Sequence, residues 1–201
     1  MKIVRIGGQS RELPSAEEVG AKATNLARMA ALGLPVPPAF VLPVRLCADV
    51  VAGKAHATRN LRDGLAEGIA FLEQATGKSF GDSRKPLLVS VRSGAARSMP
   101  GMLDTVLNVG CTSTAVRGLI RGTGRPHLAW DCRRRFLECY AETVAGLDPA
   151  PFEARLNELI AAEGVESDRD LDSEALERLA SDERKVLEDD EIGRASCRER
   201  V

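Results

Sequence analysis

The chain has 201 residues, 44% of them apolar and only 3% aromatic, with a formal net charge of −1. That is enough apolar material for a globular core built from aliphatic side chains and alanine, and no apolar run approaches the ~20 residues of a membrane span. The start Met1-Lys2-Ile3-Val4-Arg5-Ile6-Gly7-Gly8 has too short an apolar segment for a signal peptide.

In chain order, residues 3–6 read as a short strand. Ser15 is placed to cap a helix whose far end carries Leu26, Met29 and Ala30, with Gly33 as its C′ residue and prolines beyond it. Lys22 then lies on or just before this helix, where a cation is electrostatically unfavourable by a few tenths of a kcal/mol. A bound anion would relieve it; an ordinary exposed surface lysine is the alternative. Residues 39–42 read as a strand and 44–52 as a short helix. Leu61, Leu65, Ile69 and Leu72 recur at three- and four-residue intervals, the signature of an amphipathic helix ending before Gly77.

Residues 87–91 and 103–109 read as strands flanking a loop of small residues, Ser93-Gly94-Ala95-Ala96-Arg97-Ser98-Met99-Pro100-Gly101-Met102. Such a loop lets backbone N–H groups approach an anion, and Arg92 at the strand tip adds a fork of donors suited to phosphate oxygens. The segment fits neither the Walker A nor the dinucleotide glycine pattern. A polyphosphate cradle and a glycine-containing hairpin with a surface arginine are both compatible with it.

From about Cys111 the strand signals stop. Residues 112–122, 126–146, 149–163 and 172–188 read as helices, the third with Phe152, Leu156, Leu159 and Ile160 on one stripe. Arginines 117, 121, 125, 133, 134 and 135 form a basic stretch opposed only by Asp131, whereas residues 165–190 carry eleven acids against four bases. Sparse aromatics, no turn-helix motif and the acidic neighbour argue against nucleic acid. Pairing between the two segments, or a solvated face, is expected instead. Cys47, Cys111, Cys132, Cys139 and Cys197 show no metal-ligand spacing, even with His56 and His127. They are expected to be buried free thiols of a soluble, cytoplasmic protein.

Two segments carry a family resemblance. Val89-Ser90-Val91-Arg92-Ser93-Gly94-Ala95, followed by Ser98-Met99-Pro100-Gly101-Met102-Leu103-Asp104-Thr105, resembles V-S-V-R-S-G-A and S-M-P-G-M-M-D-T of the pyruvate, phosphate dikinase family. Gly20-Ala21-Lys22-Ala23-Thr24-Asn25-Leu26 and Leu32-Gly33-Leu34-Pro35-Val36-Pro37-Pro38 resemble its G-G-K-G-x-N-L and L-G-L-P-V-P-P. The likeness covers nearly all of residues 1–190. It implies an α+β fold: an ATP-grasp-like nucleotide-binding domain, present in part, over residues 1–110, with an inserted helical subdomain over 111–190. It also implies ATP as substrate, with Lys22 and Arg92 on its phosphates and Gly94, Ser98, Met99, Gly101, Met102 and Thr105 in a loop closing over them.

Alanine replaces the family's glycine at Ala21 and Ala23, adding Cβ atoms where backbone would approach phosphate or take positive φ. In the family, ATP, phosphate and pyruvate interconvert with AMP, pyrophosphate and phosphoenolpyruvate. The Mg²⁺ ligands, the phosphorylated histidine and the pyruvate site are expected beyond residue 190, in a parent enzyme expected to be a homo-oligomer. No catalytic residue is therefore assigned here, and the chain alone is expected to be inactive. A phosphoenolpyruvate synthase-like phosphotransferase and a non-catalytic nucleotide-binding module are the alternatives. Residues 191–201, Glu191-Ile192-Gly193-Arg194-Ala195-Ser196-Cys197-Arg198-Glu199-Arg200-Val201, resemble a translated DNA-sequencing adapter and are expected to be foreign to the protein.

Overall fold

The computed structural model describes residues 2–7, 13–93 and 105–198, with side chains described as far as residue 188. Helices and short strands mix, giving the expected α+β class. The chain divides into two compact units. One runs from the N-terminus to Phe80 and includes Arg92; the other takes Gly81–Val91 and the chain from Thr105 onward.

In the first unit, β1 (Val4–Ile6) pairs antiparallel with β2 (Ala39–Val41), with Val4 opposite Val41 and Ile6 opposite Ala39. Val4 and Ile6 alternate with exposed Arg5, so one face of this ribbon is buried with Val19 and Ala27. The single helix expected after Ser15 is two helices, α1 (Ala16–Val19) and α2 (Ala21–Ala31). Ser15 Oγ accepts from the Glu18 N–H as an N-cap, and Gly20 breaks the chain at φ 84°, ψ 157°, which residues with a Cβ avoid. Gly33 ends α2 at φ 80°, its N–H donating to the Ala30 carbonyl while Leu34 N–H reaches Met29.

Helices α3 (Val44–Val51) and α4 (Ala55–Thr76) follow, and then β3 (Ser79–Phe80). The buried stripe of α4 is Ala57, Gly64, Gly68 and Leu72, whereas Leu65 is exposed. Leu61 and Ile69 of the expected stripe are half-buried and Leu72 is buried, so the stripe departs from expectation at Leu65, and Gly68 marks a close approach. A Cβ on Gly68 would lie 2.3 Å from the Phe40 ring. Arg5 fastens the same helix, donating to Glu67 at 2.7 Å and lying 5.5 Å from the Phe71 ring centroid.

The second unit holds β4 (Pro86–Leu87), β5 (Val89–Arg92) and β6 (Thr105–Val109), with β5 and β6 paired. Four helices complete it: α5 (Ser113–Thr123), α6 (Pro126–Tyr140), α7 (Ala150–Glu163) and α8 (Ser173–Arg198). Thr112 caps α5 by accepting from the Ala115 N–H, and Asp172 accepts from Ala175 N–H at the start of α8. Gly124, Gly146 and Gly164 end helical segments in the left-handed conformation. α6 runs into a π-helical turn, Ala141–Ala145, which accounts for the longer helix read from sequence.

α6 and α8 form the centre, burying Leu137, Ala141, Phe152, Ala180 and Leu187, and Trp130 also packs against Leu171, Ala175 and Leu176. α8 continues as a helix into the stretch read as adapter-like.

At Gly118 of α5 a Cβ would meet the Ser83 carbonyl oxygen at 2.8 Å and Pro86 Cδ at 2.7 Å, whereas at Gly122 of the same helix nothing lies within 4 Å. Alanine raises intrinsic helix stability by about 1 kcal/mol at either place, but overpacking costs about 1–3 kcal/mol. Gly118→Ala is therefore expected to lower the urea midpoint and Gly122→Ala to raise it. A midpoint for Gly118→Ala at or above wild type would refute the packing.

Candidate functional site

Lys22 is the second residue of α2 and is exposed. Gly20 has no side chain to cap this helix, so its first N–H groups receive no side-chain hydrogen bond there. An uncapped N-terminus carries partial positive charge and favours anions. A lysine placed on it, with no ion pair to any described residue, adds to that field instead of cancelling it. Thr24 sits one turn on, its hydroxyl donating to the Gly20 carbonyl at 3.1 Å and steadying the turn. Ala21 and Ala23 lie within α2, and Asn108 is the one non-glycine residue at positive φ among those described. Neither alanine is therefore forced into a glycine conformation.

Arg92 is the last residue of β5, exposed and without an ion pair among the described residues, and Thr105 is the first residue of β6, half-buried. The two stand at the ends of paired strands, on either side of the small-residue loop. Gly94, Ser98, Met99, Gly101 and Met102 lie outside the described residues. Behind β6, Asn108 takes φ 55°, its side chain donating to the Cys132 carbonyl at 3.3 Å while its own carbonyl accepts from Cys111 N–H. Arg133 donates to the Cys111 carbonyl at 2.7 Å. These bonds tie the C-terminal end of β6 to α6.

Among the described residues no three His, Cys, Asp or Glu side chains group as a metal site. His56 is an exposed partner of Asp49 at 3.9 Å, and His127 Nε2 is buried with no hydrogen-bond partner among the described residues. Cys111 is buried, and that burial pushes its thiol up to about 12, so it is inert at neutral pH. Cys132 and Cys139 are half-buried. Cys47 is exposed, contrary to the expectation that the thiols are buried, because it lies one position, about 100°, round α3 from the buried Leu46. No helix among the described residues is long and apolar enough to cross a membrane.

Sequence reasoning missed a cluster of charges inside the second unit. Arg134, its side chain only 4% exposed, reaches Asp131 at 2.7 Å, Glu138 at 2.8 Å and Asp168 at 3.1 Å. Asp168 belongs to the acidic stretch, so the expected pairing between the basic and acidic segments is present, with Arg135 joining at 3.8 Å. Burial alone would weaken the hold of Arg134 on its proton, but the Glu138 and Asp131 carboxylates raise its pKa above the ordinary value. Beside them Glu183 of α8 is fully buried, with neither carboxylate oxygen hydrogen-bonded to a described residue. Burial and the facing Glu138 push it up to about 9, against the pull of Arg134 and Arg155. Mixed signs in helical segments were the available signal; which carboxylate would be sealed from water was not.

No family model matches the chain. Comparison with curated proteins returns relatives that include several named as dikinases. The chain is 41% identical over 162 residues to pyruvate, phosphate dikinase of Clostridium symbiosum, a match covering 81% of the chain and 18% of that protein. It is 39% identical over 173 residues to pyruvate, phosphate dikinase of Rhizobium meliloti (strain 1021), covering 86% and 19%. It is 41% identical over 169 residues to the chloroplastic pyruvate, phosphate dikinase 1 of Arabidopsis thaliana, covering 84% and 17%. A mixed α+β chain with an exposed cation on an uncapped helix start thus has its relatives among enzymes named as dikinases. Over most of its length the chain is homologous to pyruvate, phosphate dikinase. It spans less than a fifth of the length of those relatives.

Proposed function

We propose that this chain is the ATP-binding portion of a pyruvate, phosphate dikinase, and that its fold is part of an ATP-grasp-like domain. The observation that carries the reading is the α2 N-terminus, where a glycine break, a first turn without a side-chain cap and a Lys22 with no ion pair among the described residues favour an anion. Arg92, at the tip of β5 and also without an ion pair among the described residues, supplies a second cation with a planar fork of donors. In phosphoryl transfer, charge neutralisation and positioning are the protein's main contributions. Lys22 serves as a point charge on the phosphates, Arg92 as a clamp, and Thr105 and the loop residues Gly94, Ser98, Met99, Gly101 and Met102 as the cover. The parent enzyme converts ATP, phosphate and pyruvate to AMP, pyrophosphate and phosphoenolpyruvate, with Mg²⁺ held by residues other than those described here.

Equilibrium dialysis with labelled ATP tests the reading. The chain is expected to bind ATP weakly, and Lys22→Ala and Arg92→Ala each to weaken binding by about 10-fold or more, the loss of one charge-assisted contact. Arg92→Lys is expected to fall between, retaining charge but not the fork. Pyruvate- and phosphate-dependent AMP formation by the chain alone is expected to be absent. Binding unchanged in both alanine variants would overturn the assignment.

A further inference from the structure

Within the second unit, α5, α6 and α8 wall a cleft of about 440 Å³, a volume suited to a small ligand. Three guanidinium groups line it: Arg117, Arg133 and Arg184. Arg133 is 8% exposed, donates to the Cys111 carbonyl and lies 5.7 Å from the Phe136 ring centroid. It meets no carboxylate within ion-pair distance among the described residues, and neither does exposed Arg117. Arg184 has only the exposed Glu188, at 2.8 Å, a kind of pair that neutralises little.

Glu177 is the single acid in the lining, so the cleft carries an excess of positive charge in a concave, partly desolvated place. Burial holds the Arg133 pKa below its ordinary value, with Arg184 adding to that effect and Glu183 and Glu188 opposing it. Ser181 adds a hydroxyl, and Ser113, the first residue of α5, adds another at a helix start. Folding offsets the cost of assembling such cations most simply when an anion joins them.

We infer that this cleft binds a small, multiply charged phosphate compound through Arg117, Arg133 and Arg184. Guanidinium forks match the paired oxygens of a phosphoryl group, and of the three lining arginines Arg117 and Arg184 are exposed while Arg133 is buried. Trp130 lines the same cleft and is the only tryptophan in the chain, so its emission reports the site directly.

The test is a fluorescence titration of the full chain with pyrophosphate, ionic strength being held constant with potassium chloride. A saturable change in Trp130 emission is expected. The Arg117→Ala/Arg184→Ala double variant removes two exposed side chains and is expected to keep its far-UV circular dichroism while raising the half-saturation concentration at least tenfold. Glu177→Gln is expected to lower it several-fold. Lys22→Ala and Arg92→Ala are expected to leave this titration unchanged, which separates its outcome from that of the ATP assignment. A response matched by chloride alone, no saturation, or equal affinity in the double arginine variant would overturn the inference.

Discussion

Glu183→Gln is expected to stabilise the protein, by roughly 1–3 kcal/mol at pH 7, and to flatten its pH dependence on the alkaline side. The carboxyl is sealed in the α6–α8 core with no hydrogen-bond partner among the described residues. The unfolded chain releases this proton near the ordinary value of 4.5, whereas the folded chain holds it until about 9. Folding therefore takes up a proton throughout that window. The stability contributed by the protonated group is fully present below pH 4.5 and is lost as pH rises toward 9, by at most about 1.4 kcal/mol per unit.

An amide of the same shape does not titrate and carries no such loss. Glu138, Arg134 and Arg155, the charged groups that act on Glu183 from α6 and α7, remain in place in the variant. Urea unfolding at pH 5, 7 and 8.5 distinguishes the cases: the gain of Glu183→Gln over wild type should grow with pH. A constant difference, or a variant less stable at pH 8.5 than wild type, would mean that Glu183 is ionised in the native state.

Elements whose ends are set by local chemistry were legible from sequence. Ser15 at the start of α1, Gly33 after α2, Gly77 after α4 and the tight turns between the helices of the second unit do their work within a few residues, so their signals need no tertiary context. The break at Gly20 was not legible, because a glycine inside a helical pattern is tolerated as often as it interrupts. Only the structure gives its φ of 84°, and that angle starts a separate helix at Ala21, so Lys22 stands on a helix start, as the sequence suggested. The buried face of α4 was legible in part. Leucine spacing finds Leu72, which is buried, and Leu61 and Ile69, which are half-buried, whereas Leu65 is exposed and Gly68, which the spacing does not mark, lies against Phe40 of β2. For the candidate site, Lys22 and Arg92 were visible through motif likeness, while the arginine cleft and the sealed Glu183 depend on which helix faces meet, information that periodicity alone does not hold.

Arg134→Met is expected to have the opposite sign to Glu183→Gln, costing about 2–4 kcal/mol of stability. The guanidinium is 4% exposed and holds three carboxylates, those of Asp131, Glu138 and Asp168, within 3.1 Å. Methionine has a similar stem and fills much of the same volume, so the loss reflects charge and hydrogen bonds more than a cavity. The cost is set below that of a fully sealed pair because the three acids remain 22–30% exposed and Arg135 still serves Asp131 and Asp168. Arg134→Lys keeps the charge but cannot fork to three acceptors, and should recover about half of the loss. Because Arg134 also counters the rise in Glu183's pKa, the two sites are coupled. Once Glu183 is uncharged by substitution, Arg134→Met should cost less at pH 10, where the wild-type carboxyl is ionised in the folded state, than it does in the wild-type background, by up to about 1 kcal/mol. A double-mutant cycle by urea unfolding measures this coupling. Additive effects at that pH would show that the two groups do not share one electrostatic environment, and would remove the basis for treating the α6–α8 charges as a single network.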